Sequence, residues 1–281
     1  MGMQINTNIA ANNAYRNLNN TQGDLSKSLE KLSSGLRINR AADDAAGLAI
    51  SEGLKSQVGG LTVAARNAQD GISVVQTAEG SLTEVHSILQ RMRDLAVQGG
   101  NDSNSTESRD AIQTEADELS KELYRITNGT NFNGIDLLKG GTLTFQVGAG
   151  DTANDSITVN LADVAGTVTG LASADGTAAG TVFDVTDNTA AKATITALDT
   201  AITGISTARA ELGASQNRLE SASRSLAVSK ENLSAASSRI TDTDMAEEMV
   251  KYTRSNILSQ AGTAMLAQAN QGNQGVLQLL R

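Results

Sequence analysis

Few residues in this 281-residue chain are equipped for chemistry. His86 is the only histidine and there is no Cys, so neither a zinc site of the HExxH kind nor a Ser-His-Asp triad with a visible partner can be assembled. Apolar residues surround His86 at helical spacing, which gives it a structural role. Asp43 and Asp44 are adjacent carboxylates of the sort that serve acid–base work or hold a metal. They follow Arg37 and Arg40 and precede Ala45-Ala46-Gly47, a setting that reads instead as a charged joint between two helical segments. Gly148 and Gly150 in VGAGD follow a strand pattern, as a phosphate loop would, yet lead into Asp151 and a further strand rather than a helix N-terminus. No catalytic, cofactor-binding or metal-binding residue is assigned, and the chain does not read as an enzyme. Ser- and Thr-rich stretches at 101–108 and 165–181 read as solvated loops.

With no reactive centre to place, the elements themselves carry the function. The chain has no Pro and no Trp, and only three Tyr and three Phe. Burial must come from Leu, Ile, Val, Met and Ala, which suit helices packed along their length, and the commonest helix breaker is missing. Net charge is −9, with seven Asp against the single Lys192 between 141 and 200. Such a block is a solvated acidic surface, and without a basic stripe or aromatic platform nucleic-acid binding is excluded. No stretch approaches the roughly 20 apolar residues of a membrane span. The first fourteen residues, with neither Lys nor Arg nor an apolar run, are not expected to act as a secretory signal peptide.

From Leu54 apolar residues recur at steps of four and three through Val58, Leu61, Ala65, Ala68, Ile72 and Val75, then Leu82, Leu89 and Ala96. This heptad seam predicts a helix ending near Gln98, before Gly99-Gly100. Its polar interruptions, Glu79, His86 and Arg93, are also seven apart. A shorter helix is expected near 107–127. Farther on, Leu198, Ile205, Leu212, Leu219, Leu226, Leu233 and Ile240 repeat every seven residues, each of the first six followed three positions later by Ala or Ser. Large and small positions alternating in this way let two helices approach closely. A helix over 190–240, roughly 75 Å long, needs the 54–96 helix antiparallel beside it, or another subunit. In that pairing Arg91 and Leu95 are expected to project together from a face left open to a partner. The middle turns to alternation, predicting strands at 142–147, 156–160 and 181–185, while 165–180 looks too small and polar for core. Leu18, Leu25 and Leu32 near the start, and 245–281 at the end, are helical in pattern but dilute. The segments 1–40 and 245–281, complementary but individually unstable, are expected to find no partner in the chain's own rigid part and to complete folding on assembly.

Six motifs carry a family resemblance: INTNIAANNA at 5–14, SSGLRIN at 33–39, ADDAAGLAI at 42–50, NFNGIDLL at 131–138, RITDTDMAEEM at 239–249, and LAQANQ with LQLLR across 266–281. Together they resemble the terminal signatures of bacterial flagellins over about 1–140 and 190–281. The fold expected is mainly α, a long antiparallel helical rod or coiled-coil bundle from both termini with a small β-hairpin region in the middle. The resemblance implies inner filament-core helices at 1–45 and 236–281, an outer helical rod at 46–140 and 190–235, and a short variable β/loop region at 141–189. Filament-core positions are then Leu18, Leu25, Leu32, Met249, Leu266, Leu277 and Leu280, with the seam from Leu198 to Leu233 in the rod.

The same resemblance implies a helical homopolymer, the extracellular flagellar filament, whose subunit is exported unfolded by the flagellar type III system. Its partners would be an export chaperone and the hook-associated and cap proteins. QRMRDLAVQ at 90–98 resembles the segment by which the innate Toll-like flagellin receptor detects the family, which implies Gln90, Arg91, Leu95, Gln98 and Glu115 as a receptor and subunit interface. Met92 and Asp94 depart mildly from the commoner Val and Glu. Packing between subunits is the alternative role for these residues, and O-glycan attachment the alternative for the Ser/Thr loops. A hook–filament junction protein resembles flagellin at the termini only. The intact SSGLRIN, ADDAAGLAI and QRMRDLAVQ set favours the filament subunit.

Overall fold

The computed structural model describes residues 8–168, 170–172 and 183–279, with side chains as far as Gln271. The described residues hold six α-helices and two small antiparallel β-ribbons, and the chain divides into two compact units, one of residues 1–58 with 231–281 and one of residues 59–230.

In the first unit α1 (Ile9–Ser34) and α6 (Met245–Leu279) run antiparallel. The Asn8 side chain caps α1 by accepting from the Ala11 N–H at 2.9 Å, and donates to the Ala269 carbonyl at 3.0 Å. Farther along, Leu18 lies against Gly262, where an added Cβ would stand 3.2 Å from Leu18 Cδ1. Gly35 ends α1 in the left-handed region at φ 73°, its N–H donating to the Lys31 carbonyl at 2.8 Å. A short clasp follows: Arg37 N donates to Thr241 O at 2.6 Å and Thr243 N to Gly35 O at 3.0 Å. The two ends pair with each other within this unit. Their pairing is nonetheless thin. Leu18 and Ser28 are the only buried residues on α1.

The second unit is built on α3 (Thr106–Gly129) and on the parts of α2 (Ala45–Gly99) and α5 (Asn188–Thr241) that lie within 59–230. Helices α3 and α5 begin and end within two residues of the sequence expectation, whereas α2 begins nine residues before the first seam position, Leu54. α2 and α5 are antiparallel: Arg93 pairs with Asp199, and farther down Glu79 with Arg209. Seam residues Leu198, Ile205, Leu212, Leu219 and Leu226 are buried in one core with Ala68, Ile72, Val75, Leu82, Leu89 and Ala96 of α2, while Leu233 is half-buried. Helix α3 folds back along a second face of α2, with Thr130 Oγ1 3.1 Å from Ser81 Oγ near one end and Arg91 bonded to Glu115 near the other.

Strands β1 (Asn131–Phe132) and β2 (Ile135–Asp136) are joined by Asn133-Gly134, both at positive φ, the two-residue turn that Asn-Gly favours. Strands β3 (Lys139–Gln146) and β4 (Ser156–Asp163) form the larger ribbon, pairing Phe145 with Ile157 and Leu143 with Val159. Gly71 of α2 makes room for it. A Cβ there would meet the Phe145 ring at 3.1 Å and Leu219 Cδ1 at 3.3 Å.

Two expectations for the middle need correction. Phe183 to Val185 form no strand, and Thr181 and Val182 lie outside the described residues. Phe183 and Val185 instead enter the core as isolated anchors, Val185 against Gly99 at the end of α2. Within 165–180, Val168 and Leu171 are buried behind a one-turn helix, α4 (Val164–Thr167), and Ser120 of α3 donates to the Leu171 carbonyl at 2.7 Å. Residues 173–180 lie outside the described residues.

Candidate functional site

The residues first considered for chemistry have structural work. Asp44 Oδ1 accepts from the Gly47 N–H at 2.8 Å, capping α2, while Asp43 Oδ2 accepts from the Asn39 and Arg40 N–H groups at 3.1 and 3.0 Å. Those backbone donors, Arg40 first and then Asn39, hold the Asp43 carboxyl below the usual range. The Asp155 carboxylate fills the turn formed by Gly148 and Gly150, and a Cβ at Gly148 would fall 1.9 Å from its Oδ1. Thr152 donates to Asp155 through its hydroxyl at 2.6 Å, which lowers the Asp155 pKa. An anion has no place where a carboxylate already sits. His86 bonds through Nε2 with the Gln90 amide nitrogen at 2.9 Å, along its own helix. Among the described residues no group of three or more His, Cys, Asp or Glu is placed to hold a metal.

Two surfaces remain. The first lies on α2 and α3 around Arg91, whose Nε donates to Glu115 Oε1 at 2.8 Å with the two side chains 54% and 45% exposed. Gln90 and Gln98 are exposed beside it. Leu95 is not. At 1% exposure it belongs to the core with Ile112, Ala116 and Leu123, because α3 covers the face on which it was expected to project. The large apolar residue exposed on this stretch is Val97, at 52%, which the heptad reading did not single out.

The second surface is the outward face of α6. Tyr252, Ser255, Ser259, Gly262, Leu266 and Ala269 are half-buried and recur at helical spacing on the α1 side. Opposite them Val250, Ile257, Leu258 and Met265 stand 59, 61, 53 and 64% exposed. Met249 is also exposed, and joins Val250, Thr253, Arg254, Ile257 and Leu258 around a shallow apolar groove. Of the other expected filament-core positions, Leu18 is buried, and Leu25, Leu32 and Leu266 are half-buried. Leu277 lies in α6 beyond the described side chains, and Leu280 lies outside the described residues. The apolar spacing 250, 257, 258, 261, 265 in the sequence is the signal that would have found the outward face. A helix apolar on both sides is stable only when both are covered. One side is covered by α1.

Two antiparallel helical pairs, one carrying a bare apolar stripe, define a structural subunit that associates through helix faces. Comparison with known proteins gives the family. Profiles described as the bacterial flagellin N-terminal and C-terminal helical regions match residues 5–142 and 195–280. The chain is 50% identical to a flagellin of Halalkalibacterium halodurans and 49% identical to one of Bacillus subtilis, in each case over 99% of this chain and all of the relative. It is 45% identical to the flagellar filament 33 kDa core protein of Treponema phagedenis over 99% of its length. The crystal structure of Bacillus cereus flagellin superposes with a TM-score of 0.50 at 32% identity, covering 57% of this chain and 88% of that one. The chain belongs to the bacterial flagellin family, a family of structural proteins and not of enzymes.

Proposed function

We propose that copies of this chain polymerise into an extracellular flagellar filament through the outward face of α6. The observation that carries this is the run of exposed Val250, Ile257, Leu258 and Met265 on a helix whose other side is already covered. Contiguous exposed apolar surface of that kind marks an interface. In this reading 1–45 and 236–281 supply the filament core, 46–140 and 190–235 an outer rod, and 141–189 the surface region. Relatives bearing flagellin names align over their whole length, which favours a filament subunit over a junction protein. Export by the flagellar type III system, with a chaperone and the hook-associated and cap proteins as partners, follows from the same reading. The test is Ile257→Asp against wild type, by melting of the monomer and electron microscopy after seeding. The variant should melt like wild type yet form no filaments. Normal filaments would remove α6 from the interface.

A second reading rests on Arg91 and Glu115. Their exposed ion pair, with Gln90, Gln98 and Val97 around it, offers directional donors beside modest apolar area, the makings of a receptor anchor. Arg91→Ala monomer should show a weakened dose response on reporter cells carrying the Toll-like flagellin receptor. An unchanged response would leave these residues to subunit packing.

A further inference from the structure

The seam of α5 poses a problem that its apolar residues cannot solve. Leu198, Ile205, Leu212, Leu219 and Leu226 are all buried, and a small residue, Ala201, Ala208, Ser215 or Ala222, stands three positions after each of the first four. A slide of α5 by seven residues therefore presents nearly the same surface to α2. The β3–β4 ribbon gives little help, since Leu219, which neighbours Phe145 at Gly71, is one of the interchangeable seam positions.

What does not repeat is charge. On α2 the half-buried Glu79, His86 and Arg93 lie seven apart along one edge of the seam. Arg93 Nε is 2.6 Å from Asp199 Oδ1, and the Asp199 hydrogen bond raises the Arg93 pKa. Arg209 Nη2 is 3.8 Å from Glu79 Oε1. The two pairs have opposite polarity, with the base on α2 in one and on α5 in the other. Sliding α5 one way by seven puts Ser206 opposite Arg93 and Gln216 opposite Glu79. Sliding it the other way puts Lys192 opposite Arg93 and Ile202 opposite Glu79. Neither slide keeps an ion pair, and one of them sets two bases against each other. Between the two pairs, His86 bonds with Gln90 on its own helix.

We infer that Glu79–Arg209 and Arg93–Asp199 are the register-setting residues of the α2–α5 pair, choosing one alignment among those that the repeated seam allows. Single exposed ion pairs add little to stability, but along a seam that repeats they add a difference between alignments to the one made at the end of α2 by Val185 on Gly99 and by Asn188, which donates to the Gly100 carbonyl at 2.7 Å, as charged flanking positions do in coiled coils. The inference is independent of the polymerisation and receptor readings.

The experiment moves the rungs. In a chain without Cys, spin labels on cysteines at the exposed positions Thr83 and Thr207 report the α2–α5 alignment in refolded monomer. The relocated variant Asp199→Ser, Ser206→Asp, Arg209→Gln, Gln216→Arg carries both pairs seven residues along α5 and leaves every seam residue in place. It should show a label population displaced by about 10 Å along the helix axis. Exchanging polarity within both rungs, with Glu79→Arg, Arg209→Glu, Arg93→Asp and Asp199→Arg, should keep the wild-type distance alone. Should the relocated chain fail to fold, the decision passes to Glu79→Gln, Arg93→Gln, Asp199→Asn, Arg209→Gln, in which a mixed distribution supports the assignment. A single wild-type distance in the relocated variant, or in the neutral variant when it decides, overturns it.

Discussion

Replacing Leu95 by Ala separates two roles that the segment 90–98 suggests. Leu95 is buried in the core that α2 and α3 share, to which Met92, Ala96, Ile112 and Ala116 also belong. Removing the isopropyl group from such a site loses transfer energy and leaves a cavity, a cost of about 2–5 kcal/mol in well-packed cores. In a unit spanning 59–230, each kcal/mol lowers the midpoint by about 2–4 °C, so Leu95→Ala should melt roughly 5–15 °C below wild type. Arg91→Ala, one turn away, breaks only an exposed pair with Glu115, worth about 0.2–1 kcal/mol, and should shift the midpoint by a few degrees at most. Thermal and urea unfolding of the purified monomer, followed by circular dichroism, measures both. Equal and small shifts would refute the core assignment and return Leu95 to the surface. A large shift for Leu95→Ala means that any loss of filament growth or receptor signalling in that variant reflects a damaged fold, so only Arg91, Gln90, Gln98 and Glu115 can report on recognition.

Leu219→Asp should unfold the second unit, because the seam position is fully buried beside Phe145 and Leu212 and an unpaired carboxylate there costs several kcal/mol. Arg218→Ala, at an exposed position on the same turn, is the control, and equal melting of the two would show the seam to be misplaced. Asp43 and Asp155 both have lowered pKa values in the folded chain. Their stabilisation is therefore present above the ordinary carboxylate pKa of roughly 4 and is lost as pH falls through the depressed folded values. Asp155→Asn should flatten the acid limb of the stability curve, and an unchanged limb would remove the turn from that linkage.

The helices were legible because their evidence is periodic. Seven-residue spacing in α5 and the Gly99-Gly100 stop of α2 are local statements, and they fixed element type and ends closely. Leu95 was misjudged because its environment is set by a different element. Nothing in 90–98 says that α3 returns along that face. The two corrections in the middle have a similar cause. Phe183, Val185 and Leu171 are buried singly, each by a neighbour far away in sequence, such as Gly99 for Val185 and Ser120 for Leu171. Isolated anchors have no period to read. Conversely, the flanking residues alone make Asp43-Asp44 a charged joint and separate VGAGD from a phosphate loop, since capping and turn chemistry act within three or four positions.

The same distinction explains why the first unit looks half-finished as a monomer. Its pairing surface on α1 buries little beyond Leu18 and Ser28, and most of the α6 positions that meet it are small or polar, Ser255, Ser259, Gly262 and Ala269 beside the larger Tyr252 and Leu266. Small residues let the two backbones approach, as at Gly262 and Leu18, but remove little apolar area from water. Among the described side chains of α6, Val250, Ile257, Leu258 and Met265 point the other way. The clasp of Gly35, Arg37, Thr241 and Thr243 has a separate task. Backbone hydrogen bonds there tie the start of the α1–α2 connector to the end of α5, so the two terminal helices are held side by side before any partner arrives. Such an arrangement keeps the ordering cost of the ends small at the moment of association while leaving most of the favourable burial to it. Substitutions on the outward face should accordingly be read in assembly, and substitutions in the α2–α3–α5 core in the melting of the monomer.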